Sequence, residues 1–312
     1  MQALRPFRLA PYFRTRIWGF HDLSPWFDYK TEGEPIGEVW LTGEMCAAET
    51  GPLTGQPLNK ITAEQGEALL GKSHGGEEFP LLIKILFPKE KLSVQVHPDD
   101  VMAQKYGEPR GKTECWYALD AQPGAEVALG ITPGTTPDQV RAAIQDETLE
   151  ELLNHVPVNK GDMIFVDAGT VHAIGPGAVL LETQQTSDLT YRMYDYGRPR
   201  ELHIDKSIEA TRLSTDAGKK AAKTVNGYAV LIDQKYFRIE RWKDALPDAD
   251  NASADVVQMF FIANGNATIT GEGFEPISLD RCQLAVIPAE AGNWSIEAQA
   301  GAEIIRILPQ FA

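Results

Sequence analysis

Short apolar runs separated by turn residues are the feature that most limits how this chain can fold. In the first two thirds of the sequence, each run is bounded by Gly, Pro, Asp or Lys. The runs lie at 80–87, 92–97, 115–119, 126–129, 162–166 and 179–183. Many short strands with turns between them are typical of β-sandwiches and β-barrels. We therefore expect a mainly β protein.

A polar, lysine-rich stretch at 214–224 has no apolar period and divides the sequence. The chain is again β-like after it, with runs at 228–232, 237–242, 256–262, 267–270, 284–287, 294–298 and 304–308. A length of 312 residues is also more than one ordinary small core requires. We predict two domains, a first at 1–213 and a second at 224–312.

Helical signals are confined to short insertions in the first domain. Thr136, Pro137 and Gln139 form the pattern of a helix cap, a proline in the first turn and a capping-box partner. Apolar residues then follow with helical spacing, which predicts a helical segment over about 136–155. Shorter helices are predicted at about 62–71 and 99–106.

Composition excludes several classes of protein. A net charge of −15 disfavours nucleic-acid binding, although a few local cations can still hold an anionic small molecule. No apolar stretch approaches the length of a membrane-spanning helix, and the N-terminal arginines lack the apolar run of a secretory signal. The three cysteines share no paired spacing. We expect a reduced, cytoplasmic protein without a disulfide framework or a membrane span.

A candidate metal site comes from residues far apart in the sequence. Gln95 and His97 alternate on a predicted strand and share one face. His172 follows a strand and a glycine turn, and Glu114 lies between these segments. Two imidazoles and a carboxylate are a common ligand set for catalytic zinc. A Gln-x-His spacing alone, however, is a weak signal, because solvated or structurally hydrogen-bonded histidines explain most isolated cases.

Residues 92–98, 111–117 and 169–174 are three short blocks that contain His97, Glu114 and His172. They look like the three ligand motifs of the type I mannose-6-phosphate isomerases, a family of the cupin superfamily. Residues 184–195 resemble the signature that follows them, and 198–203 resembles its short bacterial branch. Residues 161–172 also match the second cupin motif, except that Asp167 stands where proline is usual.

This resemblance implies a double cupin, with two β-barrel or jelly-roll domains. The first barrel would hold one zinc ion per chain through Gln95, His97, Glu114 and His172. The second would be free of metal, because Asn293 occupies the position of the cupin histidine. The implied reaction interconverts mannose 6-phosphate and fructose 6-phosphate through a cis-enediol.

The chemistry of the implied reaction and the positions of nearby residues suggest further roles. Lys112, Glu182 and Arg192 are candidates for proton transfer and for stabilising the enediolate or the phosphate. Ser93 and Asp188 are candidates for substrate binding. Four of these five residues have a structural alternative: Glu182 and Arg192 could form a buried ion pair, Lys112 could be a solvated turn lysine and Asp188 a turn residue.

Other functions remain open at this level. The chain could isomerise a different or unphosphorylated sugar, or it could sense a sugar phosphate without turnover. Two histidines and a carboxylate can also hold Fe(II) for dioxygen chemistry, although a fourth ligand would leave fewer open positions. The sequence does not indicate an oligomeric state, and its expected partner is a small sugar phosphate.

Overall fold

The computed structural model describes residues 4–243 and 255–311. Its helices are α1 (Leu58–Leu70), α2 (Asp100–Lys105), α3 (Pro137–Gln145) and α4 (Ile204–Ala210). The strands up to residue 200 are β1 (Phe7–Leu9), β2 (Tyr12–Phe20), β3 (Ile36–Trp40), β4 (Leu81–Leu86), β5 (Val94–Val96), β6 (Glu114–Ala121), β7 (Glu126–Ile131), β8 (Leu153–Pro157), β9 (Met163–Val166), β10 (His172–Ile174), β11 (Ala178–Gln185) and β12 (Tyr191–Tyr194). The later strands are β13 (Gly218–Lys220), β14 (Lys223–Val225), β15 (Tyr228–Gln234), β16 (Phe237–Lys243), β17 (Gln258–Asn264), β18 (Asn266–Gly271), β19 (Ile277–Asp280), β20 (Leu284–Ile287), β21 (Trp294–Ala298) and β22 (Glu303–Pro309).

Two antiparallel sheets form the N-terminal half. The N-terminal large sheet has the order β13-β9-β6-β11-β4-β3-β2, and the N-terminal small sheet has the order β12-β5-β10-β7-β8. Trp116, Ile164 and Leu180 from the large sheet pack in one buried cluster with Val127 and Ile174 from the small sheet. This shared core lies between the sheets and supports the barrel that carries the site described below.

The C-terminal half repeats this two-sheet design with fewer strands. The C-terminal large sheet has the order β1-β20-β17-β22-β16-β15-β14, and a three-stranded small sheet has the order β19-β18-β21. Phe260 and Ile304 of the large sheet share a buried cluster with Ile269 and Leu279 of the small one. Each half therefore has its own interior core.

The two large sheets pack against each other through their outer faces. Ile83, Ile85 and Tyr117 of the N-terminal sheet lie in the same buried cluster as Phe261 and Ile305 of the C-terminal sheet. Neighbouring residues on a strand point to opposite faces, so residues one position away point into the barrel interior. This alternation decides which polar residues reach the interior of the first barrel.

Three helices cover the outer face of the N-terminal small sheet. Met102 of α2, Val140 of α3 and Ala210 of α4 pack in one cluster with Val96 and Met193 of the sheet. The covered face leaves the alternate residues of β5, β10 and β12 directed toward the barrel interior. Among the described residues, no helix is long and apolar enough to cross a membrane.

The predicted helices near 62–71 and 99–106 are confirmed as α1 and α2, whereas the prediction over 136–155 is wrong in its second part. α3 begins with the predicted capping box at Thr136 but ends at Gln145, and Glu147 has a positive φ of 59°. Residues Leu149–Leu152 form a 3₁₀ turn, and β8 follows at once. Leucine spacing in short apolar runs fits helix and strand alike, which explains the error.

The apolar runs did not predict β2, β3, β12 or β19, nor the short strands β13 and β14 on either side of residues 221 and 222. β13 pairs with β9 of the N-terminal half, and β14 pairs with β15 of the C-terminal half. The chain thus passes between the two sheet systems inside the polar stretch. β1, however, pairs with β20 of the C-terminal half, so the proposed boundaries 1–213 and 224–312 describe chain order more closely than strand pairing.

Candidate metal centre and active site

Three strands of the N-terminal small sheet place predicted site residues side by side. Gln95 on β5 is the register partner of His172 on β10 and of Arg192 on β12. Their neighbours Val96, Ala173 and Met193 pack outward against the helices. The row formed by Arg192, Gln95 and His172 therefore lies on the inner face of the sheet.

The N-terminal large sheet supplies the opposite wall. Glu114 begins β6 on the same face as Trp116, whose side chain is in the interior core. Glu182 on β11 pairs in register with Lys84 on β4, again on the interior face. All three charged side chains are at most 4% exposed. Charges buried this deeply require partners, and they converge on one end of the barrel.

A compact group of ligand atoms lies between the two walls. Nε2 of His97 lies 3.5 Å from Oε2 of Glu114, and Nε2 of His172 lies 3.3 Å from Oε1 of the same carboxylate. One ligand atom from each residue falls within 4.8 Å of the others. Among the described residues, no other group of His, Cys, Asp and Glu side chains has its ligand atoms this close together. The described part of the C-terminal half therefore contains no such group.

Hydrogen bonds fix the orientation of both imidazoles. Nδ1 of His97 donates to the carbonyl oxygen of Leu189 at 2.9 Å, and Nδ1 of His172 donates to the carbonyl oxygen of Thr170 at 2.9 Å. With the proton on Nδ1, each ring directs the lone pair of Nε2 toward Glu114. Metal-binding histidines use the same arrangement, in which the second nitrogen is anchored by a carbonyl or carboxylate.

Burial keeps these imidazoles neutral. Desolvation, with added repulsion from Lys112, holds the pKa of His97 well below its usual range. Desolvation also lowers the pKa of His172 to about 4, although the hydrogen bond to Thr170 opposes the shift. A neutral imidazole is the form that binds a metal ion.

Unsatisfied atoms show that the group fits a cation. Nε2 of His97 and Oε2 of Glu114 are buried and have no hydrogen-bond partner. Nε2 of Gln95 lies 3.2 Å from Nε2 of His172, and a half-turn of the amide exchanges its nitrogen and oxygen. A metal ion would satisfy lone pairs that otherwise carry the desolvation penalty of orphaned buried acceptors.

Lysines bridge the carboxylates beside this group. Nζ of Lys112 lies 3.1 Å from Oε2 of Glu114 and 3.7 Å from Oε1 of Glu182. Nζ of Lys84 lies 3.2 Å from the same Oε1, yet neither ammonium is aligned to donate a hydrogen bond to it. Lys112 is 4% exposed, so the alternative of a solvated turn lysine is wrong.

The pKa values of Glu182 and Lys84 follow from their burial and from the charges around them. Desolvation raises the pKa of Glu182, and Glu114 adds to the effect, while Lys84 opposes it. Desolvation alone would lower the pKa of Lys84, but Glu182 and Glu38 outweigh it and hold that pKa above its usual value. Glu182 can therefore take up a proton more readily than an ordinary carboxylate, while Lys84 beside it stays charged.

The charged network continues to residues that the sequence did not indicate. Oε2 of Glu38 lies 4.0 Å from Nζ of Lys84, and its carboxylate accepts two hydrogen bonds from Arg16 at 2.8 and 3.0 Å. Nε1 of Trp40 donates to the same carboxylate at 2.7 Å. Burial opposes ionisation, yet Lys84, Arg16 and Trp40 lower the pKa of Glu38 to about 2.

Arg192 and Arg200 lie on the other side of the same cavity from Lys84 and Glu38. Nη1 of Arg192 donates to the carbonyl oxygen of Glu201 at 2.9 Å, and its buried Nε has no partner. Arg200 is held by two hydrogen bonds of 2.6 Å to the buried carboxylate of Asp195. Glu182 faces the lysines instead, so the alternative of a Glu182–Arg192 ion pair is wrong.

Ser93 and Asp188 also line this cavity. Oγ of Ser93 is buried and donates to Oε1 of Gln95 at 3.4 Å. Asp188 is about half exposed and accepts a hydrogen bond from Arg14 at 3.2 Å. The first residue lies beside the ligand group, whereas the second lies toward solvent.

A cavity of about 340 Å³ joins these walls. Its lining includes most of the predicted site residues, namely Ser93, Gln95, Lys112, Glu114, Glu182, Asp188 and Arg192. His97 and His172 lie deeper, with at most 1% of either residue exposed. Four of the other cavities are larger, at about 370, 430, 610 and 910 Å³, and touch none of the predicted metal ligands, so volume alone does not locate the site.

Comparisons with known proteins agree along most of the chain. A family model described as phosphomannose isomerase type I, catalytic domain, matches residues 7–141. Mannose-6-phosphate isomerase ManA of Bacillus subtilis is 38% identical over 313 residues, with 95% of this chain and 96% of that protein covered. Mannose-6-phosphate isomerase of Streptococcus mutans is 34% identical over 305 residues, with 94% and 95% covered. This chain belongs to the type I phosphomannose isomerase family.

Solved structures agree with this assignment to the family. The mannose 6-phosphate isomerase from Bacillus subtilis superposes with a TM-score of 0.85 at 29% identity, covering 98% of this chain and 100% of that one. A zinc-bound holo mannose 6-phosphate isomerase gives a TM-score of 0.78 at 16% identity, covering 99% and 100%. The predicted mainly β, double-cupin fold is confirmed.

The family motifs indicated the ligand group but not the whole charged lining. Lys84 and Glu38 lie in apolar strand runs. Only register places Lys84 opposite Glu182, and only the pairing of β3 with β4 brings Glu38 within 4.0 Å of Lys84. Alternation offered a signal, because a lone charge inside an apolar strand such as Leu81–Leu86 has to find a buried partner. Arg200 had no such signal, since its position depends on the fold of the loop around Asp195.

Proposed function

We propose that this protein interconverts mannose 6-phosphate and fructose 6-phosphate at the cavity between the two N-terminal sheets. The observation that carries the proposal is the buried His97–Glu114–His172 group beside the cationic residues of the same cavity. The names of its relatives support the substrate class. A sugar phosphate is therefore the proposed partner.

The residues proposed to hold one zinc ion are Gln95, His97, Glu114 and His172. Two neutral imidazoles, one carboxylate and one amide oxygen leave a single net positive charge on the site and are compatible with zinc. When bound, zinc supplies a Lewis acid that polarises or orients substrate oxygen atoms. The buried His97 Nε2 without a hydrogen-bond partner supports this assignment, as does Glu114 Oε2, which accepts no aligned hydrogen bond although Lys112 lies 3.1 Å away.

The proton chemistry is assigned to Glu182 and Lys112. Isomerisation moves one proton from C2 of the open sugar to C1 and a second proton from O2 to O1, with negative charge developing on oxygen between the two carbon proton transfers. Glu182 has a raised pKa and faces the cavity, which suits a group that takes a proton from carbon and returns it. Lys112, 3.1 Å from Glu114, can donate a hydrogen bond to the developing oxyanion.

The phosphate is assigned to the arginine side of the cavity. Arg192 retains an unpartnered buried Nε, and Arg200 is held in place by Asp195. Guanidinium groups bind phosphate through paired hydrogen bonds. Ser93 and Asp188, which line the same cavity, are proposed to contact the sugar. This arrangement orients the sugar with its reacting carbons toward Glu182.

The cellular location proposed for the enzyme is the cytoplasm. Cys46, Cys115 and Cys282 are buried free thiols. Burial raises the pKa of Cys46 and of Cys282 to about 12, which suits unreactive thiols in a reducing compartment.

The decisive experiment measures interconversion of the two sugar phosphates before and after chelation, and again after zinc is restored. We expect turnover that is lost with the chelator and regained with zinc. Free mannose, tested in parallel, should react far more slowly because it lacks the group bound by the arginines. Folded, zinc-replete protein that turns over neither sugar would overturn the proposal and favour a sugar sensor, while preference for free mannose would indicate a different sugar isomerase.

A further inference from the structure

A hydrogen-bonded chain links the C-terminal half to the segment that carries Lys112 and Glu114. Tyr236 lies in the turn between β15 and β16 of the C-terminal large sheet. Its hydroxyl donates to Oδ2 of Asp100 at 2.6 Å, and Nζ of Lys235 lies 3.6 Å from the same oxygen. Asp100 opens α2, three residues after the proposed zinc ligand His97.

The other oxygen of Asp100 reaches the opposite side of the site. Oδ1 accepts from the backbone N–H of Gly111 at 2.9 Å and from Nε2 of Gln185 at 2.9 Å. Oε1 of Gln185 in turn accepts from the backbone N–H of Thr113 at 2.9 Å. The residues on both sides of Lys112 are thus held, directly or through one side chain, by a single carboxylate.

The backbone at this point has little room to adopt another path. A Cβ on Gly111 would lie 2.4 Å from the carbonyl carbon of Asp99, and the N–H of Lys112 donates to the carbonyl oxygen of Pro98 at 3.0 Å. Burial opposes ionisation of Asp100, but the hydrogen bonds from Tyr236, Gln185 and Gly111 lower its pKa. The carboxylate stays charged and all three hydrogen bonds are charge-assisted.

We propose that Tyr236 is a positioning residue for the isomerase site, acting through Asp100 to fix the backbone that presents Lys112 and Glu114. The C-terminal half then does more than cover the first barrel, because it supplies the outer end of this hydrogen-bonded chain. The inference rests on the proposed function for its catalytic consequence. Its effect on the proposed metal ligand Glu114 is independent of which sugar is turned over.

The test compares Tyr236→Phe with Tyr228→Phe in the full-length protein. Both changes remove one hydroxyl from the C-terminal half, and Tyr228 lies at the opposite end of β15. Zinc dissociation constants are measured by competition with a chromophoric chelator, and kcat and KM by conversion of mannose 6-phosphate. An unfolded population in equilibrium with the folded protein raises the apparent dissociation constant by the inverse of the folded fraction, so the constant is corrected by multiplying it by the folded fraction, measured by circular dichroism, to separate positioning from stability.

Groups that contact a metal ligand directly change metal affinity or activity by about 10- to 100-fold when removed. Because Tyr236 acts one step further away, through Asp100, we expect Tyr236→Phe to weaken zinc binding only about three- to tenfold and to lower kcat by a similar factor. KM should change little, because Arg192 and Arg200 are held by other contacts. Asp100→Asn, which keeps an acceptor for Gly111, should show a smaller loss than Asp100→Ala. If Asp100→Ala fails to fold, the tyrosine variants still decide.

Equal zinc dissociation constants and equal kcat for the two tyrosine variants would overturn the inference. Weaker zinc binding in Tyr236→Phe alone supports the positioning role even if wild-type protein turns over no sugar phosphate. In that case the proposed function fails while the link between Tyr236 and the ligand group stands. The two failures are therefore distinguishable in one set of measurements.

Discussion

Lys84 and Glu182 face each other across β4 and β11, with Nζ and Oε1 3.2 Å apart and each side chain 4% exposed. This pair connects two clusters of charge. Glu38 and Arg16 lie beyond Lys84, while Lys112 and Glu114 lie beyond Glu182. A charged network thus runs from the barrel edge to the proposed zinc ligands, and each member compensates for the burial of the next.

Lys84→Met should destabilise the protein by about 3–5 kcal/mol, because it removes the positive charge that offsets the desolvation of the buried Glu182 carboxylate. Lys84→Met combined with Glu182→Leu should cost less than the sum of the two single changes, since no buried charge is orphaned between them. Urea unfolding of the four proteins of this cycle provides the measurement. Additive free energies would contradict a coupled pair.

The lowered pKa of Glu38 should make the free energy of unfolding depend on pH in the acid range. Its pKa is about 2 in the folded protein, below the ordinary value of 4.5, so the unfolded state binds the proton more readily. The stabilisation is present above pH 4.5 and is lost as the pH falls from there toward 2, by at most about 1.4 kcal/mol per pH unit. Glu38→Gln should flatten this part of the curve of unfolding free energy against pH.

The matched control for that experiment is Glu64→Gln. Glu64 lies on α1 in an exposed pair with Lys60, with side chains 50% and 57% exposed. Exposed pairs of this kind contribute little to stability. If both variants follow the wild-type slope between pH 4.5 and 2, Glu38 does not carry the expected proton linkage.

Sequence and structure differ most where side chains depend on strand register. The ligand group could be predicted because Gln95, His97, Glu114 and His172 lie in recognisable local motifs. Lys84 and Glu38 could not, because the partner that makes each of them tolerable comes from a strand distant in sequence. Periodicity identified most strands, but not their order, and the order brings β4 beside β11.

The helical prediction over 136–155 failed for a related reason. Leu149 and Leu153 are both buried in the cluster beneath α3, as a continuing helix would require. A 3₁₀ turn and the start of β8 bury the same two residues. The local spacing predicted correctly that Leu149 and Leu153 are buried. The backbone conformation that buries them follows from the pairing of β8 with β7, which local spacing does not reveal.

Glu182→Gln should lower kcat by about 10²- to 10⁴-fold, the contribution typical of a general base, with little change in KM. The amide keeps the size of the side chain but accepts no proton in the working pH range. Lys112→Met should lower kcat as well, whereas exposed Lys72→Met serves as a control for removal of a lysine charge. Retention of full kcat in Glu182→Gln would assign the proton transfer to another group.

The arginine side of the cavity gives a prediction about affinity. Arg192→Ala and Arg200→Ala should each raise KM for mannose 6-phosphate about 10- to 100-fold, since hydrogen bonds to charged groups contribute about 1.5–3 kcal/mol. Arg141→Ala is the control, because its side chain is 43% exposed and pairs with Asp205. Inhibition by inorganic phosphate supplies a second readout. Its inhibition constant should rise in the two cavity variants and stay at the wild-type value in Arg141→Ala, whereas an unchanged constant in all three would place the phosphate at another end of the cavity.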